Sequence, residues 1–200
     1  MLFILCFLLG SIPWGVVISR VFYHKDIRDV GSGNIGTTNA IRAMGKVGGY
    51  AVFVLDFGKG LLSGAFALWF SQWFGADVRL LLALSFAGCI WGHIFSPWLG
   101  FKGGKGIAVA IGCLFIVFGP IGAILELAIF AVIVATTKYV SAGSIASALA
   151  CPLIALYFFW GSWIPWIIIS AAALTIVWAH RENIARLRNG EERRIGDKKK

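Results

Sequence analysis

The sequence predicts an all-α integral membrane protein of about seven transmembrane helices, with the N-terminus outside and the C-terminus cytoplasmic. Three observations carry this reading. The 200 residues are 59% hydrophobic, with a mean hydropathy of +0.85. Ordinary globular domains are about 45–50% apolar on a count that includes glycine, and this chain exceeds that with its 25 glycines left out. The apolar residues come in long continuous runs rather than the alternation of a β-barrel. In hydrocarbon only helices and closed barrels satisfy every backbone group. Finally, Lys and Arg are concentrated in one set of connections, as the positive-inside rule requires.

Taken in order, the candidate spans are 2–22, 50–74, 79–99, 107–119, 121–137, 142–160 and 163–180. No basic stretch precedes the first run, and the first cation is Arg20 near its end, so it reads as an anchored span, not a cleaved leader. The stretch 107–137 would be about 46 Å long as one helix and 142–180 about 58 Å. Hydrocarbon is only about 30 Å thick. Both must fold back, and Gly119-Pro120 and Gly161 to Pro165 supply the breaks. Span 107–119 is short and is expected to start deep or pack beneath its neighbours. The inner connections then hold Lys25, Arg28, Arg42, Lys46, Lys102, Lys105, Lys138 and the basic residues from Arg181 on, whereas the outer loops hold only Arg79. Trp69, Trp73, Trp160, Trp163 and Trp166 mark the outer boundary, and Trp98 and Trp178 the inner one. The chain reads as a single transmembrane domain over 1–200, in which 181–200 forms a basic cytoplasmic tail expected to be mobile at its end.

The net charge of +9 is accounted for by these loops, so no nucleic-acid partner is expected. The four cysteines lie in apolar segments at no metal-ligand spacing, and the nine acidic residues are scattered. Neither a metal nor another cofactor is expected.

Three polar islands fall on the inner side together: Gly31 to Lys46 (GSGNIGTTNAIRAMGK), His93 to Gly106 (HIFSPWLGFKGGKG) and His180 to Glu192 (HRENIARLRNGEE). The first begins with G-x-G-x-x-G, but that motif signals a dinucleotide only between a strand and a helix. Here it follows an apolar span. The second contains Gly-Lys, yet it is one residue short of a P-loop and has Gly106 where Ser or Thr would touch magnesium. What the islands share is glycine, amide and cation chemistry suited to phosphate oxygens. Three glycines within four residues at Gly103 to Gly106 favour close backbone approach to an anion. Asp56 and Lys59 lie three apart on one helix face inside the second span, as a self-neutralising pair or a ligand contact. His93 and His180 each open an island. Glu126 is a lone acid in the fifth span with no evident partner, and His24 and Asp29 spell His-x4-Asp without the other block that would give it meaning.

Joined in order over essentially the whole chain, the three islands closely resemble the signature blocks of the PlsY family, the bacterial acyl-phosphate:glycerol-3-phosphate acyltransferases. Gly10-Ser-Ile-Pro-Trp-Gly15 and Asp56-x-x-Lys-Gly60 also match its pattern. Thr37, Val47, Ser96-Pro97 and Val109 depart from it. The resemblance implies a membrane acyltransferase at the cytoplasmic face of the bacterial inner membrane. It would move a fatty acyl group from acyl phosphate to the 1-hydroxyl of glycerol 3-phosphate, giving lysophosphatidate and phosphate in phospholipid synthesis. Membrane lipid and the enzyme that supplies acyl phosphate are the implied partners. Carried over residue by residue, the first block supplies Ser32, Gly33, Asn34, Asn39, Arg42 and Lys46. The second supplies Lys102, Gly103, Gly104, Lys105 and Gly106, and the third His180, Arg181, Asn183, Arg186 and Glu192.

Acyl phosphate carries a good leaving group, so direct attack needs no enzyme nucleophile, and the chain offers no credible Ser or Cys triad. On this basis Lys102, Lys105 and the glycine amides are expected to hold the departing phosphate and the carbonyl oxyanion. Ser32, Arg42, His180 and Asn183 are expected to place glycerol 3-phosphate, with Asp56, Lys59 and His93 as further binding candidates. The proton acceptor is left open between His180, His93 and a substrate phosphate. Rival readings, a transporter of phosphorylated metabolites or a headgroup-binding protein, lack respectively an internal repeat and a use for the glycine-lysine spacing.

Overall fold

The computed structural model describes residues 1–197. The expected mobility of the tail's end concerns in part residues 198–200, which lie outside the described residues. Among the described residues the regular structure is entirely helical: α1 Leu2–Ser11, α2 Trp14–Tyr23, α3 Thr37–Phe74, α4 Val78–Ile94, α5 Ile107–Val117, α6 Gly119–Thr137, α7 Val140–Phe158, α8 Trp163–Ala179 and α9 Arg181–Arg188. Every predicted span is helical, the first as two helices. Both long apolar stretches fold back where expected, at Gly119 (φ +68°) and Gly161 (φ +79°).

Five segments are long and apolar enough to cross a membrane: Leu2–Tyr23, Thr37–Phe74, Val78–Leu99, Gly119–Thr137 and Val140–Phe158. The shorter α8 reaches that length only together with α9, from which it is bent by 51°. With 11 residues, α5 covers about 16 Å and packs chiefly against α3, with α4 and α6 beside it.

Two departures from straight helices shape the functional end. The first span breaks at Ile12-Pro13 into α1 and α2, because proline cannot continue the ladder. The second span starts earlier than its hydropathy indicates. α3 begins at Thr37, inside the first polar island, and is kinked at Gly45 (φ 76°, ψ −177°). Lys25 Nζ donates to the Ala43 carbonyl beside that kink.

In lipid, helices associate by close packing between small residues. Gly88 and Gly92, four apart on α4, lie against the backbone of α1, and Gly10 of α1 lies against Cys89 O. Gly60 and Gly64 of α3 face α5, while Gly112 of α5 faces Phe57 O. These pairs draw α1 onto α4 and α3 onto α5, and so bring the ends that carry the islands together. At the opposite end Asp77 caps α4 by accepting from Arg79 N at 2.9 Å, and Arg79 Nη1 donates to Ser162 Oγ at 2.9 Å.

The same substitution at two helix glycines tests this packing. A Cβ on Gly92 would lie 2.0 Å from Phe7 O, whereas one on Gly58 meets nothing within 4 Å. Gly92→Ala is expected to lower stability by about 1–3 kcal/mol. Gly58→Ala is expected to leave it unchanged or raise it by up to about 1 kcal/mol. Thermal unfolding in one detergent measures both.

Candidate active site

The Gly31 to Lys46 island is built around Asn39, which is 2% exposed. Its Nδ2 donates to the carbonyls of Ile27 (3.0 Å), Val30 (2.9 Å) and Asn34 (2.9 Å), and its Oδ1 accepts from Ser32 N at 3.0 Å. Asn39 was expected to touch substrate; instead its polar atoms are spent on holding the loop. Asn34 Oδ1 accepts from Gly36 N at 2.9 Å, and Gly33 makes a left-handed turn (φ +67°). These residues shape the loop that presents Ser32, whose side chain is exposed. Arg42 projects from the first turns of α3 into the field of Glu192, Arg186 and Arg193. Lys46 lies past the kink and is exposed. His24 is an exposed left-handed cap on α2, so its spacing to Asp29 has no structural counterpart of a catalytic pair.

The second island folds back over the end of α4. Gly103 N donates to Ile94 O (2.9 Å) and Gly104 N to His93 O (3.0 Å). A Cβ on Gly103 would lie 2.0 Å from His93 O, and one on Gly104 would lie 2.1 Å from His93 Nε2. The expectation that these two amides bind an anion is therefore corrected, since both are bonded within the protein and their glycines serve close packing on His93. The amides of Gly106, Ile107 and Ala108, which open α5, have no partner among the described residues. They take over that capacity one step along the chain. Gly106 makes the turn into α5 at φ +86°, a conformation that side chains disfavour. Lys102 is exposed.

Asp56, Lys59 and His93 form a sealed node, each no more than 4% exposed. Lys59 Nζ donates to Ile12 O at 2.9 Å, beside the proline break, and faces His93 Nδ1 at 3.0 Å. Asp56 Oδ1 lies 2.9 Å from it as an ion pair without hydrogen-bond alignment. Of the two readings open for Asp56 and Lys59, the geometry is that of the self-neutralising pair, and His93, the third binding candidate, is likewise turned to internal contacts. With Nδ1 turned to Lys59 and Nε2 against Gly104, His93 is no free base.

The third island assembles a second hub. Glu192 Oε1 accepts from Ser141 Oγ (2.8 Å) and Asn183 Nδ2 (2.7 Å), and Oε2 from Arg186 Nε (2.8 Å). Asn183 Oδ1 accepts in turn from Lys105 Nζ. Burial alone would raise the Glu192 pKa, but the bonds from Arg186, Ser141 and Asn183 outweigh it and hold the carboxyl below its ordinary value. Burial, aided by the Arg186 charge, pushes the Lys105 amine down to about 8. His180 is 3% exposed, and its Nδ1 sits 2.8 Å from Ile176 O. A carbonyl only accepts, so Nδ1 carries the proton and Nε2 keeps the lone pair. Arg181 leaves the cluster, stacking on Trp178 at 4.3 Å from the ring centroid.

The structure thus unites Arg42, Lys105, His180, Asn183 and Arg186 around the start of α5. It adds Ser141, Arg193 and the strap by which Ile195 N bonds Lys138 O (2.9 Å) and Arg194 Nε bonds Tyr139 OH (3.0 Å). The only signal for Ser141 in the sequence is its nearness to Lys138 at the end of a span. Among the described residues no three His, Cys, Asp or Glu side chains are grouped to hold a metal.

A family model described as glycerol-3-phosphate acyltransferase matches residues 1–190. A glycerol-3-phosphate acyltransferase of Listeria monocytogenes serotype 4a (strain HCC23) is 40% identical over 195 residues, covering 98% of this chain and 96% of its own. One from Syntrophomonas wolfei is 42% identical over 200 residues, covering 98% and 97%. The fold is similar to the crystal structure of PlsY (YgiH), an integral membrane glycerol 3-phosphate acyltransferase, in its glycerol 3-phosphate form. The TM-score is 0.84 at 38% identity, over 98% of this chain and 94% of that one. The lysophosphatidic acid form gives a TM-score of 0.80 at 36% identity, over 96% and 93%.

The sealed node generates a stability prediction. Lys59→Met strands Asp56 in the interior and is expected to lose about 3–5 kcal/mol. Adding Asp56→Asn is expected to restore part of that loss, a coupling that a double-mutant cycle of unfolding in detergent measures.

Proposed function

The chain belongs to the glycerol-3-phosphate acyltransferase family, and on that premise we propose that it transfers a fatty acyl group from acyl phosphate to the 1-hydroxyl of glycerol 3-phosphate, giving lysophosphatidate and inorganic phosphate. The end of the bundle with the polar islands faces the cytoplasm of a bacterial inner membrane. Support for this orientation is the concentration of Lys and Arg at that end, from Lys25 to the tail, with Arg79 alone at the other. Residues 1–200 act as one transmembrane catalytic domain, and the enzyme that makes acyl phosphate is its supplier.

The observation that carries the reading is the cluster of Lys105, Arg42, Arg186, Asn183 and His180 beside the unbonded first-turn amides of α5. Two phosphorylated substrates need separate cation sets within one pocket. Lys105, Lys102 and the α5 amides hold the acyl phosphate, whose carbonyl oxygen becomes negative during attack. Arg42 and Ser32 from the first island, with Asn183 and Arg186 from the third, orient glycerol 3-phosphate. Its hydroxyl attacks the acyl carbon directly, the C–O bond forms, and the phosphate departs with the electron pair. His180 Nε2 takes the hydroxyl proton, since the Ile176 carbonyl holds the other nitrogen protonated. Gly33, Asn34, Asn39, Gly103 and Gly104 position the two loops, while Asp56, Lys59 and His93 anchor the second.

Labelled glycerol 3-phosphate and acyl phosphate mixed with detergent-purified protein are expected to yield lysophosphatidate; uptake into sealed vesicles without product would establish the transporter reading instead. His180→Gln is expected to lower kcat about 100-fold or more. Retention of over about a tenth of the activity would assign the proton to a substrate phosphate. Because burial pushes the Lys105 amine down to about 8, its cationic form is present below that pH and lost above it. kcat/KM is therefore expected to fall as pH rises through about 8, and Lys105→Arg, charged throughout this range, is expected to remove that fall.

A further inference from the structure

Glu126 takes no part in the chemistry above, yet it is 1% exposed in the middle of α6. Its Oε2 accepts from Ser147 Oγ at 2.6 Å, and its Oε1 has no partner. Charged residues at membrane depth are costly and mark functional positions more often than structural ones. Glu126 lines a slot between α4, α5, α6, α7 and α8 whose other walls are almost wholly apolar, among them Phe86, Ala110, Leu114 and Phe130. The cavity itself is only about 20 Å³, room for a single water-sized group, so a chain enters it only as its apolar walls move apart.

Its placement ties it to the catalytic cluster. Ile107 and Ile176 line the slot, and Ile107 is the first residue of α5, directly after Gly106. The Ile176 carbonyl is the partner of His180 Nδ1, and the Ile176 side chain lies within 3.6 Å of where a Cβ on Gly106 would sit. One end of the slot thus lies next to Gly106 and His180. From there it runs inward to Glu126 and Cys151, each roughly 16 Å from the polar-end terminus of its own helix at about 1.5 Å per residue. That depth is about half the hydrocarbon thickness. The wall that carries Glu126 is also the most peripheral of the five candidate spans, since only 17% of the apolar window of α6 is buried against the rest of the protein.

We propose that this slot receives the hydrocarbon chain of the acyl donor and that Glu126 sets how long a chain it accepts, an inference that rests on the acyl-transfer reading. A chain that ends short of Glu126 leaves Oε1 free to be hydrated beside Ser144 and Ser147. A longer chain presses methylenes against a carboxyl oxygen that has no hydrogen-bond donor, which is unfavourable in an apolar site. Glu126 is therefore a specificity-determining residue distant from the reacting atoms, and its removal changes which chains are used without changing the chemistry.

The test is kcat/KM across a ladder of saturated acyl phosphates from decanoyl to stearoyl, for wild type, Glu126→Ala, Glu126→Gln and Ala148→Leu. One methylene in a pocket is worth about 10–200-fold in kcat/KM. Glu126→Ala is expected to raise use of the first chain beyond the wild-type optimum, relative to that optimum, by at least about tenfold. The short-chain kcat should be unchanged. Glu126→Gln keeps a polar floor and is expected to keep the wild-type profile. Ala148→Leu narrows the slot from α7 and is expected to move the optimum to shorter chains, which tests the slot even if Glu126→Ala fails to fold. Profiles that coincide for wild type, Glu126→Ala and Ala148→Leu, with acyl transfer intact, would overturn the chain-length role alone. No transfer from any acyl phosphate by the wild type would overturn the acyl-transfer reading, and this inference with it.

Discussion

Lys59 is an ammonium held between three helices in a region where hydrocarbon offers no solvent to take its place. An unpaired cation there is costly, so the surrounding chain must supply partners: Ile12 O, His93 Nδ1 and the Asp56 carboxylate. Each partner comes from a different part of the fold. Ile12 marks the proline break between α1 and α2, Asp56 shares α3, and His93 ends α4. Satisfying one charge therefore fixes the relative position of three spans. The same His93 carries the Gly103–Gly104 turn on its ring and carbonyl, so the node also determines where Lys105 emerges.

A second charge network completes the polar end from the other side. Glu192 gathers Ser141, Asn183 and Arg186, and Asn183 receives Lys105. Anchored from below by His93 and from the side by Asn183, the loop from Lys102 to Gly106 enters α5 with its first-turn amides unbonded. Rigid placement of donors ahead of the substrate is what electrostatic catalysis requires, because nothing must reorganise when charge develops. The negative charge of Glu192 keeps several cations close together that would otherwise repel one another.

Glycine chemistry is where reading residues and reading the fold diverge most instructively. Gly103 and Gly104 look like a phosphate cradle, since glycine lets backbone approach an anion. In the fold the close approach is to His93, and a methyl group at either position would collide with it. Gly10, Gly60, Gly88, Gly92 and Gly112 do the same between helices, where small residues replace the hydrophobic drive that lipid removes. Asn39 follows the same pattern: a side chain that reads as a ligand is consumed by three loop carbonyls and one amide. Polar residues near a membrane site must first satisfy backbone that water does not reach.

The sequence by itself determined the class, the apolar segments and their breaks, the grouping of three phosphate-suited islands on one side, and the family. It could do so because hydropathy, proline and glycine punctuation, and Lys/Arg placement are local or additive properties that need no partner to be read. The tertiary structure alone decided which polar residues gather in one cluster and which brace the protein. Arg42, Lys105, His180, Asn183 and Arg186 meet around the start of α5, while Asn39, Asp56, Lys59 and His93 turn inward. It also gave Ser141 a partner, extended α3 back to Thr37 across the Gly45 kink, and set Glu126 against an apolar slot. Those outcomes depend on which hydrogen-bond donors and acceptors meet across distant segments, and spacing along the chain does not encode a meeting between residues such as Ser141 and Glu192.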